Sequence, residues 1–136
     1  MFRLFQLFKP YSGYFLVAYA IAVITISSIP HIPTLKIHTP GAEIRLDYLI
    51  HFCEYGIMAL LSYLTFAEND FQLKGRKYFL IGAGLILFAV LDEFHQKLIP
   101  GRSFNVFDML SNVLGIITTL AVAPLFFRIL VRNVKG

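Results

Sequence analysis

Residues Tyr78 to Ile99 read YFLIGAGLILFAVLDEFHQKLI. Tyr78 to Leu91 carry no formal charge, and then Asp92, Glu93, His95, Gln96 and Lys97 fall within six positions. A run of this length and apolarity suits a helix that crosses a bilayer, which needs about 20 such residues. Three more segments of the same kind lie on either side of it. Working outward, Pro100-Gly101 forces a tight turn, and a further span is predicted over 104–127. Upstream, the polar stretch Glu68 to Lys77, with Gly75 inside it, separates this span from one over 48–66. A first span is predicted over 11–29, stopped by Pro30. Pro33, Pro40 and Gly41 then make His31 to Arg45 irregular, within a loop of residues 30–46. The fold class is therefore all-α: one polytopic membrane domain, residues 1–136, with four transmembrane helices.

The composition agrees. Of 136 residues, 57% are hydrophobic and only 15% charged, where a soluble domain has roughly 25%. So short a soluble chain could not hide that much apolar surface. The net charge of +4 does not point to nucleic acid, because the basic residues sit in short clusters between apolar runs. Cys53 is the single cysteine; it excludes an internal disulfide and reads as a small buried filler. Met1 to Lys9, MFRLFQLFK, reads as a short amphipathic stretch on the membrane surface. The first span is read as retained rather than cleaved, because its apolar run is long and no A-x-A-like site follows it. Gly82, Gly84 and Gly115 are the candidates for close helix contacts.

Orientation follows from the lysines and arginines. Arg3, Lys9, Lys74, Arg76, Lys77, Arg128, Arg132 and Lys135 would share one side, against Lys36, Arg45, Lys97 and Arg102 on the other. Both termini are thus expected in the cytoplasm, with the 30–46 loop and the Pro100-Gly101 turn outside.

Five of the eight acids, Asp47, Glu54, Asp92, Glu93 and Asp108, fall in or at the ends of the spans. A charge at mid-bilayer costs about 2.5–3.5 kcal/mol, so such residues face a protein interior or a wet cavity. Glu54 lies seven residues in from Asp47, Asp92 seven in from Ile99, and Asn112 eight in from Phe104. At about 1.5 Å per residue these three share one depth, roughly 10 Å from the outer end. His51, His95 and Asp108 share a shallower one. Asp47, His51, Glu54 and Met58 form one helical stripe, Asp92, His95 and Gln96 a second, and Asp108, Asn112 and Gly115 a third. Together they suggest a polar pocket open to the outside. Glu93 is rotated from Asp92, so it either points elsewhere or pairs with Lys97. Asp47 and Asp108 also suit helix starts, with Asn105 and Asp108 as a capping pair.

These elements resemble the VanZ-like family of small bacterial membrane proteins. The resemblance rests on Asp47-Tyr48-Leu49-Ile50-His51-Phe52 with Glu54-Tyr55, on Asp92-Glu93-Phe94-His95-Gln96, and on Arg102, Asp108, Asn112 and Gly115. It covers roughly Arg45 to Leu120, and the SSIP ending of the first span also fits. The resemblance implies a multi-pass protein of the bacterial cytoplasmic membrane. It also implies a setting in the cell envelope, with a link to glycopeptide susceptibility through the teicoplanin-resistance protein that names the family.

Three functions fit the residues. In the first, the pocket binds or modifies an anionic lipid headgroup or a lipid-linked wall precursor. Glu54, Asp92, His51, Glu93 and His95 are then catalytic candidates, as acids, bases or proton shuttles. Arg102, Gln96, Asp108, Asn112, Asp47 and Arg45 are the substrate-binding candidates, the arginines offering a fork to phosphate. Any chemistry would be hydrolysis or transfer at a phosphate or glycosyl linkage. In the second, His51, Glu54, Asp92 and His95 hold a metal ion for a hydrolase. In the third, the polar residues serve helix packing in a non-catalytic interaction protein. Four helices with acids in one half offer a single chain no continuous channel. No phosphate-cradling glycine loop, nucleophile elbow or metalloprotease motif is present.

Overall fold

A computed structural model describes residues 2–31, 36–39 and 42–135. Helix α1 (Phe2–Phe8) runs through a single 3-10 turn at Lys9–Tyr11 into α2 (Ser12–Ser27). A hairpin of β1 (Lys36–Thr39) and β2 (Ala42–Arg45) follows, then α3 (Asp47–Phe66), α4 (Gly75–Gln96) and α5 (Val106–Lys135). Four stretches are long and apolar enough to cross a membrane: Phe2–Ser27, Asp47–Phe66, Gly75–Gln96 and Val106–Val134. The all-helical bundle read from the sequence is the fold, with span boundaries moved by a few residues. The largest moves are at the start of the first span, which reaches back to Phe2, and in α5, which continues past Pro124 to Lys135. A proline inside such a helix is tolerated where neighbouring groups re-satisfy the freed carbonyl.

Three expectations need correction. The loop after α2 is not wholly irregular. Its residues 36–39 and 42–45 pair antiparallel, with Lys36 opposite Arg45 and Thr39 opposite Ala42. Pro33, Pro40 and Gly41 lie outside the described residues. Second, the N-terminal stretch is not set apart from the bundle. It joins the first span and turns Phe2 and Phe5 inward, where their rings meet Phe71 and Phe127 at 5.7 and 5.0 Å. Third, Cys53 is exposed on the outer face of α3, where a small weakly polar thiol is tolerated.

α3 packs chiefly on α5, while α2 leans on α3 and α4 on α5; α3 and α4 touch far less. The α3–α5 contact is a backbone approach. A Cβ added at Gly115 would collide with the Phe52 carbonyl oxygen, and one added at Gly56 would lie 3.2 Å from Thr119 Oγ1. Of the glycines singled out from the sequence, only Gly115 makes such a contact, and Gly56 is its unforeseen partner. Gly82 would meet Leu120 at an ordinary 3.5 Å, and Gly84 would meet nothing within 4 Å. Around the contact, Tyr55, Ala59 and Tyr63 of α3 face Ile116, Leu120, Ala123 and Phe127 of α5. Their three- and four-residue steps each trace one helical face.

The bundle has two different ends. At the terminal end, an aromatic plug closes the core. Phe71 adopts a left-handed backbone (φ 58°) and is fully buried. Its ring stacks on Phe127 at 4.9 Å, and its carbonyl accepts from Tyr63 Oη at 2.7 Å. That φ is unfavourable for a bulky residue, so packing and the tyrosine bond must hold it. Lys9 Nζ donates to Ala67 O at 2.6 Å, a cation placed on the last carbonyls of α3. At the hairpin end, α2 finishes beside the turn that joins α4 to α5. There Gly101 (φ 78°) lies under the His31 ring, which leaves no room for a Cβ. The polar residues gather at this end.

Candidate functional site

Asp92 is the hub of the first group. It sits in the last turns of α4 and is 6% exposed. One carboxylate oxygen, Oδ2, accepts from Tyr55 Oη of α3 (2.9 Å), Ser27 Oγ of α2 (3.0 Å) and Gln96 Nε2 of α4 (3.2 Å). Three helices are thereby tied to one atom. Gln96 is in turn fixed through its Oε1, which accepts from Arg102 Nη1 at 2.6 Å. Arg102 also donates from Nε to Ile29 O (3.2 Å) and from Nη2 to Ile26 O (3.1 Å). A guanidinium there caps the C-terminus of α2 and suits its negative dipole end. Arg102 is therefore already engaged on three sides, and two of its five N–H bonds remain for another partner.

Glu54 faces the same group from α3. It is half-buried, and Asp92 and Arg102 are the charges that act on it. Its carboxylate makes no hydrogen bond among the described residues. Its backbone carbonyl accepts from Tyr19 Oη at 3.2 Å, which fastens α2 to α3 at this depth.

The second group joins α3 to α5. His51 Nδ1 lies 3.1 Å from Asn112 Oδ1, so that ring nitrogen carries the proton of the bond. His51 Nε2 is 3.8 Å from Asp108 Oδ2, an ion pair only when the ring is charged. Asn112 is fully buried.

Glu93 makes the third contact. It is fully buried and does not pair with Lys97, which is exposed. Its Oε1 accepts from the Asn105 backbone N–H at 2.7 Å, while Asn105 Oδ1 accepts from Phe107 N at 3.0 Å. The capping arrangement expected from Asn105 and Asp108 is thus completed by Glu93, from another helix. Asp108 is left free to face His51.

At the rim, Arg45 ends β2 and reaches into the first turn of α3. It donates from Nη2 to Asp47 Oδ2 at 3.1 Å and from Nη1 to Tyr48 Oη at 3.2 Å, with its guanidinium 4.8 Å over the Tyr48 ring. The bond to Asp47 holds the Arg45 guanidinium above its ordinary pKa. Neither arginine read as a phosphate fork is idle.

The expected stripes are thus brought together at one end of the bundle but divided in two. Asp92 and Gln96 face Glu54, whereas His51 turns to Asn112 and Asp108. His95 is half-buried and makes no side-chain hydrogen bond among the described residues. The four proposed metal ligands do not converge. Asp92 is held by Ser27, Tyr55 and Gln96, while His51 is held by Asn112. Among the described residues no three His, Cys, Asp or Glu side chains could hold a metal ion together. Ser27, Tyr55 and Tyr19 were missed by the sequence reading. A tyrosine hydroxyl in mid-span needs a partner, and that signal was available at Tyr55.

Four buried polar atoms have no hydrogen-bond partner among the described residues: Asp92 Oδ1, Glu93 Oε2, Asp108 Oδ1 and Asn112 Nδ2. All four belong to this region. Three are carboxylate oxygens, so the region offers more acceptors than donors.

No curated protein and no solved structure matches the chain. The sequence model of the VanZ/LLP1 family does match, over residues 14–127, which runs from within α2 to within α5 and takes in every polar residue of this site. The chain is a member of the VanZ-like family.

Proposed function

We propose that the polar region at the hairpin end binds the polar head of an envelope lipid or of a lipid-linked wall precursor. Its setting is the bacterial cytoplasmic membrane, with both termini in the cytoplasm and the polar region facing outward. The observation that carries this reading is the set of unpartnered polar groups. A network built only for packing satisfies its own members, since a half-satisfied one is worse than an apolar core. Here Glu54 and four buried atoms on two further helices are left over. The acceptor excess suits hydroxyl and ammonium groups of a head. A phosphate would rest on the two N–H bonds that Arg102 keeps.

One observation favours a second reading. The three bonds onto Asp92 Oδ2 hold α2, α3 and α4 together, and that is packing. Glu54 separates the two readings, because its carboxylate makes no hydrogen bond among the described residues. Full-length protein is extracted in native bilayer discs and its lipids are identified by mass spectrometry. Glu54→Gln is expected to leave thermal stability within about 0.5 kcal/mol of wild type. It is expected to cut retention of the co-extracted polar lipid about tenfold, the value of one hydrogen bond to a charged group. Undiminished retention would favour packing alone.

The orientation has its own test. A reporter inserted between α2 and α3 is expected to be read outside the cytoplasm. A cytoplasmic signal would put the polar region on the other side and sink the wall-precursor reading.

A further inference from the structure

The sparse contact between α3 and α4 leaves a groove at the other end of the bundle. Its volume is about 440 Å3, within the range of small-molecule sites. Phe66 of α3 forms one wall, and Leu80, Ile81 and Gly84 of α4 form the other. The lining is apolar apart from Ser62 of α3 and, at one end, Lys77 at the start of α4. Gly84 opens the space, since a Cβ there would meet nothing within 4 Å.

We propose that this groove holds one acyl chain of a phospholipid whose anionic headgroup pairs with Lys77. Two features select that occupant. An acyl chain seated between two helices touches protein on both sides, and so gains more dispersion contact than one lying on a convex helix surface. A cavity of this volume takes one flexible chain, whereas a helix of a second copy, about 10–12 Å across with its side chains, could enter it only with side chains. The charge at the rim also fits. Lys74 is already paired with Glu68 at 2.9 Å, whereas Lys77 and its neighbour Arg76 have no acidic partner among the described residues. Lys77 is thus free for a headgroup at the level where the apolar lining ends. This site lies at the opposite end of the bundle from Glu54 and Asp92 and does not depend on what they bind.

The test is native mass spectrometry of the full-length protein in detergent, titrated with palmitoyl-oleoyl phosphatidylglycerol or phosphatidylcholine. Wild type is expected to retain one phosphatidylglycerol at lower concentration than phosphatidylcholine. Gly84→Phe fills the groove and is expected to weaken retention about tenfold without changing the unfolding temperature. If that variant misfolds, the smaller Gly84→Leu serves in its place. Lys77→Gln is expected to lower the preference for phosphatidylglycerol about fivefold, the effect of one basic group at an anionic surface. Equal retention by the filled variant, or no headgroup preference in wild type, overturns the proposal. A wild-type dimer that the filled variant converts to monomer overturns it too, and names a second copy as the occupant.

Discussion

Gly115→Ala is expected to be the most damaging single-methyl change in this chain. The added Cβ runs into the Phe52 carbonyl oxygen, with Gly56 N close behind. Backbone atoms cannot rotate away as a side chain can, so α3 and α5 must part along their whole contact. Overpacking of this kind costs about 1–3 kcal/mol, and Gly115→Leu should exceed that range. The separation also pulls His51 from Asn112, because His51 adjoins Phe52 and Asn112 lies three residues before Gly115. Unfolding followed by circular dichroism in micelles checks the stability. Gly84→Ala is the matched control, since its Cβ enters open space and should change nothing beyond about 0.5 kcal/mol. Equal stability of the Gly115 and Gly84 variants would show that the two helices do not meet at backbone distance.

Asp92→Ala is expected to be the second large loss. It strands Tyr55 Oη, Ser27 Oγ and Gln96 Nε2, which all donate to one oxygen. A buried donor left unsatisfied costs about 1–3 kcal/mol in a soluble core. In membrane bundles each interhelical bond is worth nearer 0.6 kcal/mol, because the unfolded helices also find partners. We therefore expect a total of about 2–4 kcal/mol for the three donors together. Asp92→Asn keeps an oxygen acceptor and should cost about 1 kcal/mol. The same unfolding assay, run on both variants, checks the contrast. Similar losses in both would mean that the negative charge, not the acceptor, holds the three helices.

Most of the bundle was legible because its signals are periodic or compositional. A long apolar run such as Tyr78 to Leu91 needs no tertiary knowledge to be read as a span, and Pro100-Gly101 marks its turn locally. The gathering of Glu54, Asp92, Glu93 and Asp108 at one end could be read from depth alone. Facing could not. Helical spacing put His51 and Glu54 on one stripe, yet a stripe can straddle two neighbours, and here His51 meets α5 while Glu54 meets α4. Arg102 illustrates a second limit. Its type suggested an anion site, but its three engaged nitrogens answer carbonyls more than seventy positions earlier in the chain and the Gln96 side chain. Backbone groups carry no sequence signature, so nothing in the sequence marks such a partner. Glu93 escaped for the same reason: Lys97 was the visible partner, and the Asn105 N–H was the real one.

The contact between Gly56 and Gly115 has a consequence for how the molecule is built. Its two glycines belong to helices that are not consecutive, and α4 is synthesised between them. Spans emerge and insert in chain order, and their packing follows insertion. Until α5 arrives, α3 has its glycine face open to lipid and α4 is held by the Asp92 bonds to Ser27 and Tyr55 and by sparse contacts with α2 and α3. The tightest seam therefore closes last, when the final span slides against α3 and α4 settles onto it. A chain stalled before Gly115 would leave three helices in the bilayer without their tightest seam, and quality-control proteases of the membrane would meet it in that state.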